Sequence, residues 1–143
     1  KVLLEIKGDL GKDYFIQDHA NNFFQVFLNL FNNSYNAFIK KDIEKKIIIT
    51  VTQKDTSKVE VKVLDFGAGI PDSKINNLFD IPFHVKDKAY SGIGLFITKK
   101  MIEKIGGKIS LRSEEGKYTE ATIDLPFYQE EKSHKKRNQL SLS

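Results

Sequence analysis

Asparagines at helical spacing are the first residues of this chain whose types and positions could do chemistry. Asn29, Asn33 and Asn36 stand at i, i+4 and i+7, so on a helix they share one face. An amide side chain offers an oxygen to a divalent ion and N–H donors to phosphates, and Asn is a poor helix-interior residue without such a role. The chain is also rich in Asn, so a run such as Asn32–Asn33 fits a solvated surface as the alternative.

A carboxylate followed by two glycines forms the second candidate. Asp65 ends the alternating run Val59–Leu64, which predicts a strand, and Gly67 and Gly69 follow it. A carboxylate can accept a hydrogen bond from an exocyclic amine, and glycine allows a flat base to approach the backbone or φ to become positive. An ordinary strand-to-helix turn has the same composition and stays open as an alternative.

A third block places glycines at the start of a predicted helix. Ser91, Gly92, Ile93, Gly94 and Leu95 precede or open a helical pattern over 92–105. Backbone N–H groups exposed at a helix start favour an anion. The segment 80–91 before it has no clear period and contains two lysines; the first could close over phosphates, while a solvated loop is favoured for the second. Their positions are Lys86 and Lys88. The three blocks together indicate a nucleotide site made of amides, one carboxylate and glycine backbone.

The elements that must position these blocks follow from hydrophobic periodicity. A helix is predicted over 19–40 with Asp18 as its N-cap, and a short helix from Asp72 or Ser73 to Phe79. Gly106 is the predicted C-cap of the last helix. Strands are predicted at 2–6, 14–17, 47–52, 59–64, 108–112 and 118–125. With hairpins and no βαβ rhythm, the pattern predicts an α+β two-layer sandwich: a mostly antiparallel mixed sheet covered on one face by about three helices.

Composition limits the class of protein. The 143 residues fit one domain, predicted at 1–127 and followed by a flexible basic and polar tail at 128–143. There is no cysteine, which excludes disulfides and cysteine-ligated metals. The net charge of +4 comes almost entirely from Lys, which does not favour a nucleic-acid partner. With no membrane-length apolar run or signal peptide, we expect a cytoplasmic domain without direct membrane contact. The start at Lys1 in strand-like sequence predicts a part of a longer protein.

Several other kinds of site do not fit. No G-x-x-x-x-G-K-[ST] is present, so a P-loop is excluded. Asp65-Phe66-Gly67 imitates the D-F-G of Ser/Thr/Tyr protein kinases, but the H-R-D and V-A-I-K motifs are missing. The three histidines have no metal-ligand spacing.

In their order along the chain, the blocks resemble the ATP-binding catalytic domain of sensor histidine kinases. That domain belongs to a fold family shared with gyrase, MutL and the heat-shock chaperone ATPases. The resemblance covers about Val2 to Pro126, with 25–33 similar to the N box, 65–70 to the D-x-G-x-G box, 78–83 to the F box and 91–95 to the second glycine box. The run from Gly106 to Ser113 is similar to the start of the family's closing strands.

The resemblance implies ATP and Mg²⁺ as cofactors. It implies that Asn33 is the metal ligand and that Asn29 lies near the phosphates, the two forming the catalytic pair, while Asp65 reads the adenine amine with Thr119 beside it through water. Further nucleotide contacts are implied for Asn36, Gly67, Gly69, Ile70, Lys86, Ser91, Gly92, Ile93, Gly94 and Leu95. The family transfers the γ-phosphate to a histidine on a separate dimerisation and phosphoacceptor hairpin, and then to the receiver domain of a response regulator.

Departures from the family pattern keep two alternatives open. Asn36, Ala37, Tyr90 and Tyr118 stand where many members carry a basic residue, an aromatic and two glycines. A degenerate nucleotide-binding scaffold and an anti-sigma-type serine kinase of the same fold are therefore the alternatives. Asn29 occupies the place where hydrolysing relatives usually carry Glu, which disfavours hydrolysis. Since no histidine here has a phosphoacceptor context, the chain is expected to bind ATP without phosphorylating itself.

Overall fold

The computed structural model describes residues 2–18, 22–38, 45–80 and 92–128. Within these ranges it contains three helices and five strands, which confirms the predicted α+β class. In chain order these are β1 (Val2–Gly8), α1 (Asn22–Ala37), β2 (Lys45–Gln53), β3 (Lys58–Asp65), α2 (Asp72–Ile75), α3 (Gly92–Lys104), β4 (Lys108–Glu114) and β5 (Tyr118–Pro126).

The strands form one sheet in the order β1-β2-β3-β5-β4. The pairs β2–β3, β3–β5 and β4–β5 are antiparallel, which confirms the mostly antiparallel mixed sheet. β1 and β2 pair in parallel, with α1 between them in the chain, and this pair makes the sheet mixed. The strand predicted at 14–17 is wrong: an isolated bridge between Phe15 and Tyr128 forms there instead.

One face of the sheet forms the core because alternate residues point to the same side. Val59, Val61 and Val63 of β3 are buried on this face, opposite Leu125, Ile123 and Ala121 of β5. Buried residues of α1 and α3, such as Val26, Leu30 and Ile102, belong to the same cluster. The intervening β3 residues Glu60 and Lys62 instead carry ion pairs on the opposite face, as their alternation predicts.

Helix α1 buries every third or fourth residue. Val26, Leu30, Ser34 and Ala37 are buried, which follows the helical period of the sequence. The Asp18 carboxylate accepts a hydrogen bond from the backbone N–H of Phe23 at 2.8 Å, so it satisfies a first-turn donor although it precedes the first helical residue by four positions. The outer parts of the predicted 19–40 helix, at 19–21 and 39–40, lie outside the described residues.

The predicted N-cap of α2 is wrong, whereas the predicted C-cap of α3 is confirmed. α2 spans only four residues, and its N-cap is Pro71 with no side-chain cap bond, so capping by Asp72 or Ser73 was a wrong prediction. Gly106 ends α3 as its predicted C-cap: its φ is +80° and its N–H donates to the Glu103 carbonyl at 3.0 Å. The Gly107 N–H donates to the Ile102 carbonyl at 2.9 Å, which completes a Schellman motif after α3. Within the described ranges, no helix has the length and apolar character needed to cross a membrane.

Candidate functional site

The buried carboxylate of Asp65 is the centre of the candidate site. It lies at the end of β3, opposite Thr119 of β5, and the residue is 4% exposed. The Ser34 hydroxyl donates to Oδ2 at 2.9 Å and the Gly67 N–H donates to Oδ1 at 3.0 Å. Burial raises the pKa of Asp65 to about 6, while the hydrogen bonds from Gly67 and Ser34 act in the opposite direction. This carboxylate is thus an acceptor held in a largely apolar setting.

A small cavity of about 30 Å³ adjoins this carboxylate. Its volume holds about one water molecule, which could bridge Asp65 and Thr119. Ligand pockets are typically about ten times larger or more, so a base can enter only if the lining side chains move apart. Among the described residues of the lining, Asp65 is the one ionisable side chain; these residues are Leu30, Asn33, Ser34, Ala37, Val63, Asp65, Ile70, Leu95, Leu111, Thr119 and Ala121.

Glycine is required at positions 67 and 69, after Asp65, for different structural reasons. A Cβ on Gly67 would lie 2.6 Å from the Cβ of Ala37, so glycine here lets the loop pack against α1. Gly69 has φ of +66°, and a Cβ there would overlap the carbonyl oxygen of Glu114. The loop at 66–70 is therefore fitted between the end of α1 and the β4–β5 hairpin.

Ser113 joins that hairpin to the loop. Its hydroxyl donates to the Tyr118 carbonyl at 2.6 Å and accepts the Ile70 N–H at 2.8 Å. The hydroxyls of Ser113 and Thr119 are 2.9 Å apart. Because the Ser113 proton is already directed to Tyr118, Thr119 donates in this contact and keeps its lone pairs for a ligand or water.

Asn29 connects α1 to α3 in this structure. Its amide nitrogen donates to the Thr98 hydroxyl at 3.2 Å and to the Gly94 carbonyl at 3.5 Å, while its oxygen accepts from Gln25 at 2.9 Å. Thr98 is fully buried and donates its own proton to the Gly94 carbonyl at 2.7 Å. The Asn29 side chain thus fixes the start of α3, where Gly94 lies.

Asn33 differs from Asn29 in the state of its amide nitrogen. It lines the cavity, and its Nδ2 is buried without a hydrogen-bond partner among the described residues. A buried polar atom left in this state costs about 1–3 kcal/mol, which a ligand could recover. Asn36 is half-buried on the same helix but is not part of the cavity lining.

The remaining predicted residues fall into three groups. Ile70, Leu95 and Thr119 line the cavity together with Asp65. Gly92, Ile93 and Gly94 form the start of α3 by their backbone. Lys86 and Ser91 lie outside the described residues, as does the part of the F box at 81–83.

Three hydroxyl residues of the site were not predicted to have a role there. Ser34 occurs within the buried stripe of α1, where a polar side chain among apolar ones was an available signal. Thr98 follows Leu95 by three positions in α3, which is a weaker signal of the same kind. Ser113 is the last half-buried residue in the alternation of exposed and half-buried residues along β4, and no local pattern indicates its contacts with Ile70.

Residues 18–129 match the family model for histidine kinase-, DNA gyrase B- and HSP90-like ATPases. Among curated proteins, the chain is 34% identical over 108 residues to the sensor protein FixL of Bradyrhizobium diazoefficiens, covering 76% of this chain and 21% of FixL. It is 34% identical over 113 residues to the histidine-protein kinase ArlS of Staphylococcus epidermidis, covering 76% of this chain and 24% of ArlS. The chain thus spans between a fifth and a quarter of the length of these relatives.

Solved structures show the same similarity. The catalytic domain of histidine kinase ThkA matches with a TM-score of 0.68 and 28% identity, covering 87% of this chain and 80% of that one. A mycobacterial sensor histidine kinase, MprB, matches in fold with a TM-score of 0.73 and 21% identity, over 88% of this chain and 82% of that one. On the strength of its sequence match from residue 18 to 129, this chain belongs to the histidine kinase-, DNA gyrase B- and HSP90-like ATPase family.

Proposed function

We propose that this chain is the ATP-binding catalytic domain of a sensor histidine kinase. In this proposal it binds ATP with Mg²⁺ and donates the γ-phosphate to a histidine on a dimerisation and phosphoacceptor helical hairpin of the same protein. The receiver domain of a response regulator would then take the phosphoryl group. The similarity to FixL, which is named a sensor protein, and to ArlS, which is named a signal transduction histidine-protein kinase, supports this assignment.

The observation that carries the proposal is the buried Asp65 carboxylate. Asp65 lines a cavity whose other side chains are mainly apolar, and a carboxylate there can accept a hydrogen bond from the 6-amino group of adenine. A 6-oxo purine offers an oxygen at the same place, and two facing acceptors repel each other. The site therefore favours adenine over guanine.

Asn33 suits Mg²⁺ by the chemistry of its side chain. Its amide oxygen is a hard neutral ligand of the kind that Mg²⁺ accepts, usually with phosphate oxygens and waters completing the octahedron. Its amide nitrogen, which does not bind the ion, is buried without a hydrogen-bond partner among the described residues and is a free donor for a phosphate oxygen. No cluster of three or more His, Cys, Asp or Glu occurs among the described residues, so phosphate oxygens and water would supply most of the ligands. When bound, the ion would neutralise charge on the phosphates.

The chain's own residues would contribute positioning to the transfer. The bond between the γ-phosphorus and the β–γ bridging oxygen of ATP breaks, and ADP leaves with that oxygen. A bond from the γ-phosphorus to the acceptor imidazole nitrogen forms in its place. Such transfers depend mainly on alignment and charge neutralisation. In this proposal Asp65 fixes the base, and Asn29 fixes the start of α3, where the Gly92 and Gly94 backbone would meet the phosphates.

Nucleotide binding tests the first half of the proposal. Calorimetry with ATP and GTP, each with and without Mg²⁺, would compare the unchanged chain with Asp65→Asn and with Asp72→Asn, the same change at an exposed position of α2. We expect micromolar ATP binding, much weaker GTP binding, and at least a tenfold loss for Asp65→Asn, about 1.4 kcal/mol. Absence of ATP binding at millimolar nucleotide would contradict the proposal and favour the scaffold alternative.

Phosphoryl transfer tests the second half. Labelled ATP would be incubated with the chain alone and with a phosphoacceptor hairpin supplied in trans, using Asn33→Ala and the exposed neighbour Asn32→Ala as a matched pair. Label should appear as phosphohistidine on the hairpin only, and Asn33→Ala should abolish it while Asn32→Ala does not. Stable label on the isolated chain would contradict the assignment of the acceptor histidine to a separate hairpin.

A further inference from the structure

Ser34 makes an unusual hydrogen bond for a serine inside a helix. Such hydroxyls commonly bond to the carbonyl one turn earlier in their own helix. Ser34 is instead directed from α1 to the Asp65 carboxylate of β3, at 2.9 Å from Oδ2. Both residues are 4% exposed, so bulk solvent does not compete for this bond.

The two oxygens of Asp65 are held by one protein donor each. Gly67 donates its backbone N–H to Oδ1, and Ser34 donates its hydroxyl to Oδ2. Rotation about the last bond of an Asp side chain is intrinsically broad, so a donor on each oxygen fixes the carboxylate plane. The remaining lone pairs then point into the cavity in one orientation, where a ligand amine can use them.

These donors also compensate the carboxylate charge. Among the described residues, no Lys, Arg or His lines the cavity beside Asp65, so the compensating groups there are the positive ends of an O–H and an N–H dipole. Hydrogen bonds to an ionised group are about twice as strong as those between neutral groups. Removing the Ser34 hydroxyl would leave Oδ2 without this donor in an apolar setting.

We propose that Ser34 is a positioning residue for base recognition: its hydroxyl holds the Asp65 carboxylate ionised and oriented, and thereby selects purines that carry a 6-amino group over those that carry a 6-oxo group. This inference rests on the proposed ATP-binding function. It assigns the selectivity to a pair of residues, one on α1 and one on β3, and not to the carboxylate alone.

The test compares Ser34→Ala with Ser34→Thr, which keeps the hydroxyl, and with Ser73→Ala at an exposed position of α2. Binding of ATP and of inosine triphosphate, its 6-oxo counterpart, would be measured between pH 5.5 and 8. Ser34→Ala should weaken ATP binding about tenfold at pH 7, reduce the preference for ATP, and move the acid loss of ATP binding to higher pH. Ser34→Thr should retain the preference, and Ser73→Ala should match the unchanged chain.

An NMR titration of the Asp65 carboxyl carbon in the ligand-free proteins separates this inference from the proposed function. The Asp65 pKa should be higher in Ser34→Ala, and an unchanged value would overturn the inference. Equal losses of ATP and inosine triphosphate binding with an unchanged pH profile would mean that Ser34 only supports the fold, which also overturns it. If the unchanged chain binds no ATP but the Asp65 pKa is still higher in Ser34→Ala, the proposed ATP-binding function is wrong, and the proposed purine selectivity is wrong with it.

Discussion

Replacing Asp65 by Asn should change how the stability of this protein depends on pH. In the unfolded chain the carboxyl has an ordinary pKa of 3.8, and burial raises it to about 6 in the folded protein. Each pKa unit corresponds to about 1.4 kcal/mol, so the ionised group destabilises the folded state by about 3 kcal/mol at neutral pH. The Asn variant is neutral at every pH and lacks this contribution.

The sign follows from proton binding. Below about pH 3 the carboxyl is protonated in both states and carries no penalty. Between about pH 4 and 6 the folded state holds the proton more tightly than the unfolded state, so stability falls as the pH rises. Above about pH 7 both states are ionised and the penalty is constant.

Urea unfolding followed by circular dichroism would measure this at pH 4, 5, 6 and 7 for the unchanged chain and for Asp65→Asn. The free energy of unfolding of the unchanged chain minus that of the variant should fall by about 2 kcal/mol from pH 4 to 7, because part of the penalty of about 3 kcal/mol is already present at pH 4. Subtraction removes the contributions of the other carboxylates, and Asp72→Asn reports the effect of the same change at an exposed position. A difference that stays constant or grows with pH would refute the raised pKa and the apolar setting on which base recognition depends.

Three further predictions concern stability and use urea unfolding as the measurement. Gly69→Ala should lower the free energy of unfolding by at least about 2 kcal/mol more than Gly116→Ala does. Both glycines have positive φ, but of the two only Gly69 would place the new Cβ in contact with backbone. Equal losses of stability would contradict the close packing at Gly69. Thr98→Val should lose about 1–3 kcal/mol because the hydroxyl links two helices, whereas a larger loss in Thr98→Ser would point to the methyl group. Phe38→Ala should lose about 3–5 kcal/mol, while Phe24→Ala, which is exposed, should lose little.

The sequence was sufficient for features that depend on local periodicity. Alternation in β3 predicted its buried face, and the three- and four-residue spacing of α1 predicted its buried stripe, because both follow directly from backbone geometry. The positions of Asp65 and Gly106 at element ends were likewise predictable from their neighbours. Local pattern thus located the carboxylate and the cap that the structure contains.

Features that depend on pairing between distant segments were not predictable. Whether β1 pairs in parallel or antiparallel is decided by where α1 packs, and the sequence of β1 does not encode that choice. The contacts of Ser113 with the loop at Ile70 join residues 43 positions apart. Asn29 was expected to face the ligand, but whether its amide contacts α3 or a phosphate depends on the distance between two helices, which periodicity does not determine.

The backbone hydrogen bond between the β4–β5 hairpin and the loop after Asp65 affects where residues can be inserted into the chain or deleted from it. The Gly116 N–H donates to the Ala68 carbonyl at 2.6 Å, so an inserted residue at this turn would move that donor away from the loop. The β2–β3 turn has a long-range bond only where it joins β3, from the Phe127 N–H to the Ser57 carbonyl at 2.9 Å. Its tip is closed locally by Asp55, which accepts from the backbone of Ser57 and Lys58. Insertions and fused reporters should therefore be tolerated better at the tip of the β2–β3 turn, before Ser57, than at the β4–β5 turn, although both are exposed hairpin ends.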